Sequence, residues 1–350
     1  MQTLAVKYRP KTFDDVTEQD SIKVILKTQL ETNTIKNAYL FCGGAGTGKT
    51  TTARIFANEI NKGQGKPIEI DGASNNSVDN VREIGKQAQT KSINSDYKIF
   101  IIDECHALSN SAWQSMLKLI EEPPLKTVFI FCTTDPQKIP MTILSRVQRY
   151  DFKRISQQGI VDRLEHICTQ EHIITSSGDP QLDGDTFIDT SEALEYIARL
   201  SDGGMRDAIT LLDKCLSYSN QLTLDSVLNA LNLKSQDVMI DLTNSILDGE
   251  EKTLKILDDI YMSGTELKQF VKDYTNFIFD IKKCVILDSF TMTHIVDTKE
   301  CRKLLERAKN SVKMDMLLKA LIQLSQNIKY DMYPRYLIEY SLWEVAECKD

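Results

Sequence analysis

Residues 37–60 read NAYLFCGGAGTGKTTTARIFANEI. A short apolar run enters a glycine-rich octet, Gly43-Gly44-Ala45-Gly46-Thr47-Gly48-Lys49-Thr50, and leaves it in a stretch with helical periodicity. The octet fits G-x-x-x-x-G-K-[ST] and stands where a phosphate loop must stand, after a strand and before a helix. Glycines let the backbone turn its N–H groups inward, and the helix N-terminus adds its positive end. Gly43, Gly46, Thr47, Gly48, Lys49, Thr50 and Thr51 are therefore expected to cradle the phosphates of a nucleotide. Lys49 reaches the β- and γ-phosphates, and Thr50 offers a hydroxyl to Mg²⁺.

Outward from the octet, PIEID, KIFIID and TVFIFCTT are further short apolar runs. Polar, helix-periodic stretches (SVDNVREIGKQA, SAWQSMLKLIEE) separate them. Strands alternating with helices imply a parallel, doubly wound α/β sheet with its ligand at the strands' carboxyl ends. KIFIID carries Asp103 to the end of a buried strand, where a carboxylate can hold Mg²⁺ through water. Glu104 beside it can orient and deprotonate an attacking water. His106 is a possible metal ligand in type only, because none of the other three histidines pairs with it at ligand spacing.

TVFIFCTT ends in Thr133 and Thr134, where a hydroxyl can sense the γ-phosphate; a β-branched strand ending is the plainer reading. Arg146 closes a short helix and serves equally as a surface ion pair or as a charge aimed at a neighbour's nucleotide. Arg206 opens a later helix and can close over phosphates, though its charge alone does not decide this. Trp113, after the Asp-Glu pair, reads as a core aromatic.

The chain has 350 residues, enough for two or three domains, and a net charge of −8, so no global basic field holds nucleic acid. Apolar runs reach about five residues, as in 128–132, against the ~20 that span a bilayer. Neither a membrane partner nor a signal peptide is expected. Eight cysteines scattered without a C-x-x-C pair suit reduced thiols in cytoplasm. After residue 152 helical periodicity takes over, interrupted by the polar stretch 175–190, which reads as a solvated loop. Met314, Leu317, Leu321, Leu324 and Ile328 form an apolar face, and Pro334 opens a last helix. The expected domains are an α/β nucleotide-binding domain over 1–155, a helical lid over 156–218 and an all-helical domain over 219–350.

LAVKYRP, the phosphate loop, ASNN, IIDECHALSNSAWQSMLKLIEEPP, TTDPQKIPMTILSR, YDFKRIS, DGGMRDAITLLDK and NIKYDMYPRYLIEYSLWEVA follow in one order. Together they resemble the gamma/tau family of bacterial DNA polymerase III, AAA+ ATPases of the sliding-clamp loader. The resemblance makes Lys49 and Thr50 the Walker A pair, and Asp103 and Glu104 the Walker B pair. It makes Thr133 sensor 1, with Thr134 its nearest rival, Arg146 an arginine finger acting in trans, and Arg206 sensor 2. Tyr8, Arg9 and Pro10 fall at the adenine pocket, and the helical domain becomes an oligomerisation collar.

It further implies ATP and Mg²⁺ as cofactors. The implied partners are primer–template DNA, a sliding clamp and sister subunits in a pentamer, in a bacterial or phage-infected cytoplasm. DNA would meet the helix opening at Asn76 and Ser77, with Arg82 and Lys86 one turn apart on one face; a solvated helix face reads equally well. The family's four-cysteine zinc module is replaced here by NKGQGK, so zinc is not expected, and the polymerase-binding tau extension is expected to be missing. A subunit that binds ATP without hydrolysing it is the alternative; intact Glu104 and Arg146 argue against it.

Overall fold

The computed structural model describes residues 2–90, 92, 94–171, 173, 190–219, 221–231, 235–249, 251–290, 293, 295, 298–309, 311–328 and 331–348. Apart from Thr190, the expected loop 175–190 lies outside them. The chain divides into two compact units, Met1–Leu224 and Asp225–Asp350.

In the first unit the order is α1 (Leu4–Lys7), α2 (Asp20–Glu31), β1 (Ala38–Gly43), α3 (Lys49–Ile60), β2 (Ile68–Asp71), α4 (Val78–Gln89) and β3 (Lys98–Asp103). Then come α5 (Asn110–Glu121), β4 (Thr127–Thr133), α6 (Met141–Leu144), β5 (Gln148–Phe152), α7 (Gln157–Gln170), α8 (Ser191–Leu200) and α9 (Met205–Tyr218). The five strands pair in parallel in the order β2-β3-β4-β1-β5. Strand residues alternate between two cores, as the pleat requires. Tyr39, Phe41, Ile99, Ile101, Ile130 and Cys132 meet α2 and α3 on one face. Leu40, Phe100, Ile102, Phe129 and Phe131 meet α4 and α5 on the other. Trp113 is 2% exposed and its ring lies 5.5 Å from that of Phe131, a core aromatic as its position suggested. The helices α7–α9, from the expected lid, fall in the same compact unit as the sheet.

The helix α10 (Leu224–Ala230) begins at the division. In the second unit α11 (Ser235–Asp248), α12 (Lys252–Met262), α13 (Leu267–Leu287), α14 (Lys299–Ala308), α15 (Val312–Asn327) and α16 (Pro334–Glu347) follow. Residues from α11 to α16 share one apolar core. Met314, Leu317, Leu321, Leu324 and Ile328 are all buried in it, and Pro334 does open α16. No helix among the described residues is long and apolar enough to cross a membrane.

Candidate nucleotide-binding site

The cleft lies within the first unit, where β1 gives way to α3, and has a volume of about 330 Å³. β1 lies inside the sheet between β4 and β5, so its carboxyl end opens at the crevice where the strand order reverses. Gly48 precedes α3 in a left-handed conformation (φ 99°), and α3 aims its first turn into the cleft. Lys49 is buried; its Nζ donates to the carbonyls of Gly43 (2.9 Å) and Gly44 (2.7 Å). Burial pulls its ammonium below the ordinary lysine value, with the charges of Glu104 and Asp103 opposing the shift.

Thr50 Oγ1 donates to Asp103 Oδ2 at 2.8 Å, so the ends of β1 and β3 bring together an all-oxygen pair of the kind Mg²⁺ takes. Glu104 follows with φ 45°, a left-handed backbone that an ordinary residue adopts only under constraint. Part of the constraint is Gly72, whose N–H donates to the Asp103 carbonyl at 2.7 Å. A Cβ on Gly72 would lie 2.9 Å from the carbonyl oxygens of both Asp103 and Glu104, so no side chain fits there.

Of the expected site residues, Tyr8, Arg9, Pro10, Gly46, Thr47, Gly48, Lys49, Thr50, Thr51, Asp103, Glu104 and Arg206 all line the cleft. Thr133 does not line it. Its side chain is fully buried on the α4/α5 side, where Oγ accepts the N–H of Asp135 (3.0 Å) and lies 3.2 Å from His106 Nδ1. Thr134 takes the cleft position, its hydroxyl donating to Glu104 Oε2 at 3.0 Å. The pleat is the reason: Thr133 shares the face of Phe131, whereas Thr134 shares the α3 face of Cys132. Gly43 contributes its carbonyl rather than its surface.

Arg146 lies just past α6 rather than ending it, and is absent from this cleft. Its guanidinium bonds Glu121 Oε1 (2.6 Å), the Thr142 carbonyl (2.8 Å) and Ser145 Oγ (3.0 Å) and remains partly exposed. Asn76 and Ser77 are exposed before α4; Ser77 caps the helix by accepting from Asn80 N–H. Arg82 and Lys86 are exposed on that helix, with Arg82 paired to Asp79 at 3.0 Å.

Sequence reading missed Arg54 and Arg163. Arg54, one turn along α3 from Thr50, lines the cleft while paired with Glu69 through Nε at 2.8 Å. Arg163 on α7 lines it and donates to the Tyr8 carbonyl at 3.0 Å. The lining holds five cations (Arg9, Lys49, Arg54, Arg163, Arg206) against three carboxylates (Asp103, Glu104, Asp207). Burial, then repulsion from Arg54 and Arg206, lowers the Arg9 pKa. The α8–α9 turn closes this wall: Met205 N–H donates to the Gly46 carbonyl at 3.1 Å. Gly46 (φ 70°) approaches so closely that a Cβ would lie 2.9 Å from Gly204 Cα.

A phosphate loop after an internal strand of a parallel sheet, an Asp-Glu pair ending its neighbour, and helices continuing the chain define a P-loop protein of the AAA+ fold. Solved structures of the Thermotoga maritima RuvB Holliday junction branch migration motor match that fold, with TM-score 0.52 and 18% identity, over 69% of this chain and 80% of theirs. The sequence profile described as DNA polymerase III, delta subunit, matches residues 60–156. The tau subunit of DNA polymerase III from Bacillus subtilis is 33% identical over 99% of this chain and 63% of its own length. The tau/gamma subunit from Haemophilus influenzae is 35% identical over 72% of this chain and 38% of its own. The chain is thus a homologue of the DNA polymerase III tau/gamma subunits, and it spans less than two thirds of the length of these relatives.

Proposed function

We propose that the chain is an ATPase subunit of a DNA sliding-clamp loader, using ATP to open a clamp and load it onto primer–template DNA in a bacterial or phage-infected cytoplasm. The observation that carries the ATPase is the convergence of Lys49, the Thr50–Asp103 pair and Glu104 on one positively lined cleft. Mg²⁺, held by Thr50 and Asp103, would neutralise charge on the phosphates. Lys49, now bonded to its own loop, turns to the β- and γ-phosphates. Glu104 takes a proton from the attacking water, whose oxygen attacks the γ-phosphorus while the bridging P–O bond breaks toward ADP. Thr134, rather than Thr133, is the sensor beside Glu104. Arg206 closes on the phosphates from α9, Tyr8, Arg9 and Pro10 border the adenine, and residues 156–218 act as the lid.

Arg146 completes a neighbour's site in trans, which its absence from its own cleft supports. Residues 219–350 then form the collar that holds sister subunits, in a pentamer. DNA contact at Asn76, Ser77, Arg82 and Lys86 is to the backbone, so affinity falls as salt rises; affinity that stays flat between low and physiological salt contradicts it. Hydrolysis measured with primed DNA tests the trans site. Glu104→Gln and Arg146→Ala should each be nearly inactive alone, and an equal mixture of the two should regain activity. A fully active Arg146→Ala removes the finger assignment.

A further inference from the structure

His106 is left over from this chemistry, yet it touches the machinery from behind. Its Nδ1 lies 3.2 Å from Glu104 Oε2 and 3.2 Å from Thr133 Oγ. The backbone fixes it there. The left-handed turn at Glu104 reverses the chain into one tight turn, Cys105–Ala107, closed by Ala107 N–H to the Glu104 carbonyl at 3.0 Å. Cys105 and Leu108, on either side, are both buried in the α4/α5-side core. Thr133 is equally fixed, fully buried and accepting the Asp135 N–H.

The chemistry of the three groups restricts where the proton sits. A carboxylate oxygen accepts, so Nδ1 bonds Glu104 Oε2 only if it carries the hydrogen; a bare Nδ1 would accept from Thr133 Oγ instead. Thr134 already donates to the same Oε2 at 3.0 Å. With the hydrogen on Nδ1, Thr134 and His106 both engage Oε2, which leaves Oε1 for a water.

We propose that His106 is a positioning residue for Glu104: its Nδ1–H, seated against Thr133 Oγ, clamps one carboxylate oxygen and presents the other to the attacking water. The proposal rests on the ATPase reading above. A pinned carboxylate meets water in a reactive geometry, and losing such alignment typically costs up to about 100-fold in rate.

Two measurements test it. In nucleotide-free protein, nitrogen-15 spectra of the four histidines, assigned through His106→Asn, should show His106 as the Nδ1–H tautomer. An unprotonated Nδ1 overturns the proposal, because such a ring accepts from Thr133 and has nothing to give Glu104. In turnover assays His106→Phe and His106→Gln should lower kcat about 10- to 100-fold with ATP affinity unchanged. His106→Asn, whose amide N–H stands where Nδ1–H stood, should restore most of the rate. His106→Phe turning over at the wild-type rate, equal losses of kcat and affinity, or an Asn variant no better than Phe each overturn it. A wild-type chain that hydrolyses nothing in any assembly removes the ATPase reading instead, and the tautomer still decides whether His106 holds Glu104.

Discussion

At the scale of single residues, two adjacent threonines have opposite duties. Thr134→Val removes the donor to Glu104 and should lower kcat about 10- to 100-fold with little change in stability. Thr133→Val keeps the volume but strands the Asp135 N–H, so urea unfolding should show a loss of about 1–2 kcal/mol. Equal kinetic and stability effects in the two variants would contradict the division. Gly72→Ala pushes a methyl against the carbonyls of Asp103 and Glu104. It should cut hydrolysis about tenfold or more while far-UV circular dichroism stays unchanged; wild-type turnover would show that the strand end tolerates the shift. That Lys49, Thr50, Asp103 and Glu104 meet at one cleft was legible because all four belong to local sequence patterns. The choice between Thr133 and Thr134 was not, because it depends on which sheet face α3 covers. Arg54 and Arg163 enter the cleft only through the fold and left no local mark.

Among the elements, those with a strong local period were the legible ones. The apolar face of α15 and the proline at the start of α16 both stand as read. Lys313 is the counterexample. Although a lysine is usually exposed, this second residue of α15 is 7% exposed and bonds the carbonyls of Leu247 (3.2 Å) and Ala346 (3.3 Å). Those carbonyls end α11 and α16, where a cation both satisfies orphan acceptors and meets the negative end of each helix. Lys313→Met should destabilise the second unit by about 1–3 kcal/mol, read as a lower urea midpoint. An unchanged midpoint would mean that water serves those carbonyls equally well. Nothing in the sequence pairs position 313 with residues 247 and 346, which meet only in the folded bundle.

For the molecule as a whole, a negatively charged chain concentrates cations in one cleft, and its thiols are kept out of reach. Seven of the eight cysteines are buried, and Cys348 is half-buried. Burial pushes the Cys42 and Cys215 thiols up to about 11 and Cys168 up to about 12, so little thiolate exists at pH 8. A chromogenic disulfide reagent at pH 8 should react quickly with one thiol and with the rest only as the chain unfolds. Several fast thiols would contradict this packing. On the proposed reading the cleft binds ATP with one set of groups and hydrolyses it with another, and Glu104→Gln separates the two. ATP affinity, followed with a fluorescent analogue in the presence of Mg²⁺, should stay near that of the wild type while turnover with primed DNA falls about 100-fold or more. A variant that still turns over at the wild-type rate would contradict the account.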